Sequence, residues 1–459
     1  MSEQLKEFLK ASEIKVKDLD HRKIISKNMA AYDTAIKKNT TYTNLELAKQ
    51  RASYLKCKVI NELEYYLKEF ELNFTNRGGK IIWALDAAES VAEIIKILKK
   101  NNIGAVVKSK SMVTEEIGFN NETEKENIRS VETDLGEYIV QLAGEKPYHI
   151  VTPVMHKSKE DISALFSKLF DLHPNSSPEE ITSFVRNKLR NEFINAGAGV
   201  TGANFLVADT GSVAITENEG NGVMSMSFPR IHIVVAGVEK LIPSIKDLNL
   251  LWPLLSYHGT GQNTTVYNSI ISGPKQEGEI DGPEEMFVVL LDNNRTELLK
   301  KVDQRLALSC IKCGACLNGC PVYRNIGGYT YNYIYSGPIG AVIAPHLKGM
   351  KEYGHLSFAS TLCGKCTEVC PVKIKLHKML LYNRRDMVVA GGTQKREKIL
   401  AFALKKMLKK RWLMDKFSYK TKNMVLGLSI RNSWGKHKAM PGFAEKSFNK
   451  QWKEARGLE

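Results

Sequence analysis

Residues 310–321, CIKCGACLNGCP, and residues 360–371, STLCGKCTEVCP, decide how this chain is read. Between them they hold seven of its eight cysteines, Cys310, Cys313, Cys316, Cys320, Cys363, Cys366 and Cys370. Three thiolates at intervals of three close around one cubane iron–sulfur cluster, while a fourth, set apart and followed by proline, points away and ligates a different cluster. The two runs therefore interlock. The first cluster takes Cys310, Cys313, Cys316 and the distant Cys370; the second takes Cys363, Cys366 and the distant Cys320. Structural zinc is the main competitor, but its sites usually come as two separated pairs of ligands, a spacing these runs do not have. The pattern implies electron transfer.

The second run is one thiol short. Counting three residues back from Cys363, as Cys310 stands before Cys313, gives Ser360, a far weaker ligand for iron than a thiolate. Two iron–sulfur clusters of the [4Fe-4S] type are expected. For the second, the sequence leaves open a three-iron cluster, an iron bound to water or to Ser360, or a ligand lent by a partner.

At 459 residues and 43% apolar content, the chain should form two to four domains with ample cores. The opening residues MSEQLK are no signal peptide, and no apolar run approaches the roughly 18 residues needed to cross a bilayer. With clustered thiols that suit a reducing compartment, a soluble, cytoplasmic protein is expected. The lone Cys57 reads as a packing residue. The net charge of +16 is uneven: from Arg384 to Glu459, 20 Lys and Arg stand against 6 Asp and Glu, leaving +14 in that segment. Within it, residues 395–412 place Ile399, Leu400, Phe402, Ala403, Met407 and Leu408 at helical spacing with lysines opposite, a basic amphipathic helix. Such a helix docks on the chain's own surface, on a partner subunit or peripherally on a membrane. A nucleic-acid groove would interleave aromatics with the charge or build a helix-turn-helix, and neither is present, so no nucleic-acid partner is expected.

Residues 1–70 read as a helical segment. Lys80–Leu85 reads as a strand, Asp86 to Glu89 as a capping box opening a helix to Leu98, and Gly104–Lys108 as the next strand, together a β-α-β unit. Further strands are expected near His149–Val154, Asn204–Ala208, Ser212–Thr216, Ile231–Ala236, Thr264–Ile271 and Met286–Leu291, with helices over 159–171, 178–195 and 238–247. The resulting division is a helical segment over 1–70, an α/β domain over 71–300, a ferredoxin-type iron–sulfur domain over 301–385 and a basic C-terminal region over 386–459.

Gly197 to Gly202, GAGVTG, matches the dinucleotide fingerprint by its letters, but the fingerprint works only after a strand and at a helix N-terminus. Here a helix leads into the glycines and a strand leaves them, so the segment reads as a helix stop and a turn. Asp209 to Asn221 joins strands with polar residues that suit either a ligand site or a hairpin turn. Lys108, Lys110, His156, Glu217 and His258 are further candidates for a polar pocket. No hydrolase elbow, Walker loop or metalloprotease helix is present, and no catalytic or organic-cofactor residue is assigned. Tyr329, Tyr331, Tyr333 and Tyr335, between the two cysteine runs, read as a packed aromatic cover over the clusters.

The whole pattern resembles the lactate utilisation protein B family, iron–sulfur subunits of a bacterial system that oxidises L-lactate to pyruvate. The resemblance rests on Leu308–Arg324, Gly327 and Gly328, Ser336–Ala341, Ser360–Ile374 and, in the α/β region, Gly202–Ser212. It implies a middle domain similar to the sugar-phosphate isomerase and coenzyme A transferase folds, seven cluster cysteines, and partnership with other lactate-utilisation subunits. Fold similarity alone carries no chemistry. Since lactate oxidation needs a hydride acceptor and no flavin or nicotinamide site is visible, the chemistry is expected to begin on a partner, with this chain relaying electrons. A ferredoxin-like subunit of another 2-hydroxy acid or glycerol-phosphate dehydrogenase is the alternative; for that role the α/β domain would be surplus.

Overall fold

The computed structural model describes residues 2–39, 41–391, 395–410, 412, 416–434 and 439–457. The chain divides into two compact units, Met1–Asp386 and Met387–Glu459. Four helices open the first unit, Glu3–Lys17, Leu19–Lys38, Leu45–Asn61 and Leu63–Thr75. The first three start on side-chain caps, with Ser2, Asp18 and Asn44 each accepting a first-turn N–H that would otherwise lack a partner.

Ten strands follow: β1 (Lys80–Ala84), β2 (Ala105–Lys108), β3 (Arg129–Glu132), β4 (Ala198–Thr201), β5 (Phe205–Val207), β6 (Ser212–Glu217), β7 (Ile231–Gly237), β8 (Leu241–Ile242), β9 (Tyr267–Ile271) and β10 (Glu285–Leu291). Six of them form a parallel sheet in the order β1-β10-β7-β4-β2-β3. The others form a second sheet, β8-β5-β6-β9. The strand period explains the layering. Ile231, Ile233 and Val235 of β7, with Phe287, Val289 and Leu291 of β10, pack with Val91, Ile94 and Leu98 of the helix Ala87–Lys100. The alternate residues, Val234, Ala236, Met286, Val288 and Leu290, pack with Phe70, Phe74 and the second sheet's Leu206, Val213 and Leu241. Strands covered on both faces read as unbroken apolar runs.

Three expectations are corrected. The glycine run is not a turn: Ala198–Thr201 is β4, between β2 and β7. A Cβ on Gly199 would stand 1.6 Å from the Ser225 carbonyl oxygen, so glycine there lets the helix Asn221–Ser227 lie directly on the strand. His149–Val154 is not a strand, because the His149 Nδ1 accepts the N–H groups of Val151 and Thr152 at 3.1 and 3.2 Å and bends the segment into a local turn. Residues 238–247 form two short 3-10 turns around β8, and the helix begins only at Leu248. The fully buried Lys56 ammonium donates to the Glu239 and Leu241 carbonyls, both at 2.9 Å, and Pro243 has no N–H to give a helix.

Around Cys310–Cys370 the chain is short helices and turns. The aromatic segment is tied to the sheet by a buried charge network: Arg295 holds Glu116 at 2.7 Å and Glu239 at 2.6 Å, and the Tyr335 hydroxyl donates to Glu116 at 2.7 Å. Burial alone would raise the Glu116 carboxyl, but Arg295 beside it holds it down at about 2. Breaking such a buried pair costs about 3–5 kcal/mol. The second unit contains helices Lys395–Lys409, Tyr419–Trp434 and Phe448–Ala455. In the first of these Ile399, Phe402 and Leu408 are exposed, while Arg411, in the expected basic helix, lies outside the described residues. Among the described residues no helix is long and apolar enough to cross a membrane.

Candidate metal centre

Each cysteine run folds into the same turn. Lys312 and Gly314 flank Cys313 with φ of +60° and +78°, and Leu362 and Gly364 flank Cys363 with φ of +56° and +82°. Left-handed residues on both sides of a thiol wrap the peptide around it, and glycine after the thiol takes that conformation at little cost. A four-residue helix follows each turn, Ala315–Asn318 and Lys365–Glu368. Even the local hydrogen bond repeats. The Lys312 N–H donates to the Cys310 Sγ at 3.3 Å, and the Leu362 N–H donates to the Ser360 Oγ at 3.1 Å.

Cys310, Cys313, Cys316 and Cys370 line one cavity, whose other walls are apolar side chains such as Ile339 and Ile374. The Ile374 N–H donates to the Cys370 Sγ at 3.3 Å. Burial is the first cause raising the Cys313 and Cys316 thiols, and the charges of Cys310 and Cys370 add to it. Burial likewise pushes Cys370 up to about 12, with Cys310 second. The other three thiols perturb one another: burial raises Cys320, with Cys363 contributing, and pushes Cys366 up to about 11, with Cys320 and Cys363 contributing. The sets differ in access to solvent, for Cys363 is exposed while Cys313 and Cys370 are buried. Buried thiols that repel one another as thiolates ionise only beside a strong positive charge. Iron supplies that charge. Sulfurs converging on an apolar cavity, with peptide N–H donors aimed at them, fit an iron–sulfur cluster.

A second cavity, of about 360 Å³, adjoins the first turn. It opens at the carboxyl ends of the parallel strands, where ligands bind in α/β sheets. Lys110 after β2, Lys240 after β7, Glu217 and Glu219 at the end of β6, and Lys312 and Cys313 all line it. Among the polar candidates from the sequence, Lys110 and Glu217 reach this cavity and three do not. Lys108 is fully buried against Glu132 at 2.6 Å and Glu115 at 3.2 Å; burial would lower it, and these carboxylates overcome that and raise it. His156 pairs with Glu145 at 2.7 Å and stacks on Tyr148. His258 is buried with its Nδ1 on the Leu254 carbonyl. Within Asp209 to Asn221, residues 209–211 belong to the β5–β6 hairpin turn, while Glu217 to Glu219 and Asn221 line the cavity. Sequence reasoning passed over Lys240 and Lys312, while Glu219 lies within the Asp209–Asn221 segment it singled out. The signal for Lys240 in the sequence is the charged pair Glu239 and Lys240 shortly after the strand Ile231–Gly237.

The LUD domain family matches residues 67–291, and the 4Fe-4S dicluster domain matches residues 306–374. The chain is 44% identical over 350 residues to a lactate utilization protein B from Bacillus velezensis, covering 76% of this chain and 73% of that one. It is 45% identical over 335 residues to the protein of the same name from Bacillus subtilis, covering 73% and 70%. A crystal structure of a DUF162 family protein from Deinococcus radiodurans aligns over 50% of this chain and 98% of that one at 14% identity. Its TM-score of 0.28 is too low to carry an argument.

Proposed function

The chain belongs to the lactate utilisation protein B family, and on that premise we propose that it is an electron-transfer subunit in the oxidation of L-lactate to pyruvate. It would accept electrons from a dehydrogenase site on a partner lactate-utilisation subunit and relay them onward. What supports this is that Cys310, Cys313, Cys316 and Cys370 line one cavity, while Cys320 and Cys366 are each raised by burial and then by their neighbours among Cys320, Cys363 and Cys366. The first set would hold a [4Fe-4S] cluster and the second another cluster with one corner not supplied by cysteine. Iron–sulfur clusters, when bound, supply one-electron transfer. The protein's part is to exclude water with apolar walls and to aim the N–H groups of Lys312 and Ile374 at sulfur, which sets how readily the centre is reduced. The α/β domain, with the resemblance to sugar-phosphate isomerase and coenzyme A transferase folds that its family implies, would bring a ligand site to the edge of the first set.

Anaerobically purified protein should be brown and carry about two clusters per chain. L-lactate should reduce them only when partner subunits are added. Zinc in place of iron and sulfide, or lactate turnover by the pure chain, would overturn the proposal.

A further inference from the structure

Two lysines that line the cavity between the strand ends and the first cysteine turn have no ion-pair partner among the described residues. Lys240 is only 8% exposed, yet its ammonium makes no hydrogen bond or ion pair among the described residues; the neighbouring Glu239 carboxylate is turned to Arg295 at 2.6 Å. The Lys312 ammonium lies 4.0 Å from the centroid of the Tyr335 ring and likewise has no carboxylate or carbonyl partner among the described residues. Both side chains line the cavity beside Cys313. Burial first, and Lys312 among the further causes, push Lys240 down to about 8. A buried ammonium with no partner is costly. The buried Lys240 and the half-buried Lys312 line one space, and an anion between them would relieve both.

Acids in the same lining limit which anion fits. Asp134, Glu217 and Glu219 also line the cavity, with Glu219 raised to about 7 by burial and then by Asp134. Three lysines, Lys110 on the Val151 carbonyl and Lys240 and Lys312 without a carboxylate partner among the described residues, are set against three acids, which suits a single negative charge better than the double charge of a phosphate. Met112, Val113, Val151 and Leu255 give apolar surface to a short carbon chain, and Glu219 lines the same space.

We propose that this cavity binds a small organic monocarboxylate, its carboxylate between Lys240 and Lys312 and its body against the peptide of Cys313. The ligand thus sits at the edge of the first thiol set, and its occupancy alters the signal of the centre held there. Only that spectroscopic consequence rests on the electron-transfer reading; binding itself does not.

The test is calorimetric titration of the iron-loaded full chain with propionate, L-lactate and inorganic phosphate, with electron paramagnetic resonance of the reduced protein at each end point. Both carboxylates should bind, phosphate should bind more weakly, and Lys240→Met should weaken the carboxylates at least about tenfold. The melting temperature of Lys240→Met should hold or rise, since removing an unpaired buried charge relieves strain; a lysine that only supported the fold would lower it. Lys312→Gln, at a half-buried position, repeats the binding test without touching the core. Absence of carboxylate binding with full iron content, tighter binding of phosphate, or unchanged affinity in both variants would overturn the site and leave the electron-transfer reading standing. Carboxylate binding to a chain that holds zinc would do the reverse.

Discussion

The two cysteine turns share a backbone and differ in their surroundings. Both wrap a thiol between left-handed residues, both lead into a four-residue helix, and both take an N–H onto the side chain three residues before that thiol. In the first turn that side chain is Cys310 and the thiols face an apolar cavity; in the second it is Ser360, and Cys363 is exposed. A repeated local conformation therefore does not make two equivalent environments for a thiol. Burial and one substitution of sulfur by oxygen separate the two turns.

The largest test breaks the crossing between the turns. Cys370→Ala should remove the centre on Cys310, Cys313 and Cys316, together with about half of the iron, although it lies in the other run. Iron assay and electron paramagnetic resonance check this, and selective loss of the second signal would show that the turns do not share ligands. Exposure gives the next contrast: brief air or ferricyanide treatment should strip the centre at Cys363 before the buried one is affected, as two separate phases of iron release. Ser360→Cys should then narrow the difference by giving the second turn its fourth thiolate, lengthening that centre's lifetime in air at least about fivefold. Ser360→Ala should leave it within about twofold of wild type, because a serine hydroxyl is a poor ligand for iron. Loss of the second cluster from the alanine variant would identify serine as a true ligand. The smallest effect concerns support. Arg384 donates to the Ser357 and Ser360 carbonyls, both at 2.9 Å, so Arg384→Met should loosen only the second turn, costing about 1–2 kcal/mol in thermal unfolding.

Elements with a one-dimensional signature were legible. Lys80–Ala84, the Asp86-capped helix and the apolar run of β10 each follow a period or a cap that local chemistry produces. The failures share a cause. The GAGVTG run looks like a turn because glycine is rare inside strands, and only the Ser225 carbonyl packed against Gly199 explains why a central strand carries it. His149–Val154 has the composition of a strand, yet one imidazole nitrogen takes two of its N–H groups. Residues 238–247 have helical spacing, yet Lys56, far away in sequence, captures two of their carbonyls. In each case a long-range contact or a single side chain outweighed local propensity.

By itself the sequence determined the chemistry on offer: seven thiols at cluster spacing, the missing eighth at Ser360, and an α/β region with no nucleotide-binding loop in its proper context. Spacing carries this because a metal cluster constrains ligands through chain geometry that a few residues define. The tertiary structure decided the environment. It buried Cys313 and left Cys363 open, turned Glu239 to Arg295 so that Lys240 has no ion pair among the described residues, and brought residues at the ends of β2, β6 and β7 around one cavity with Cys313. Burial, charge pairing and the lining of a cavity depend on residues tens to hundreds of positions apart, so no local pattern in the chain encodes them.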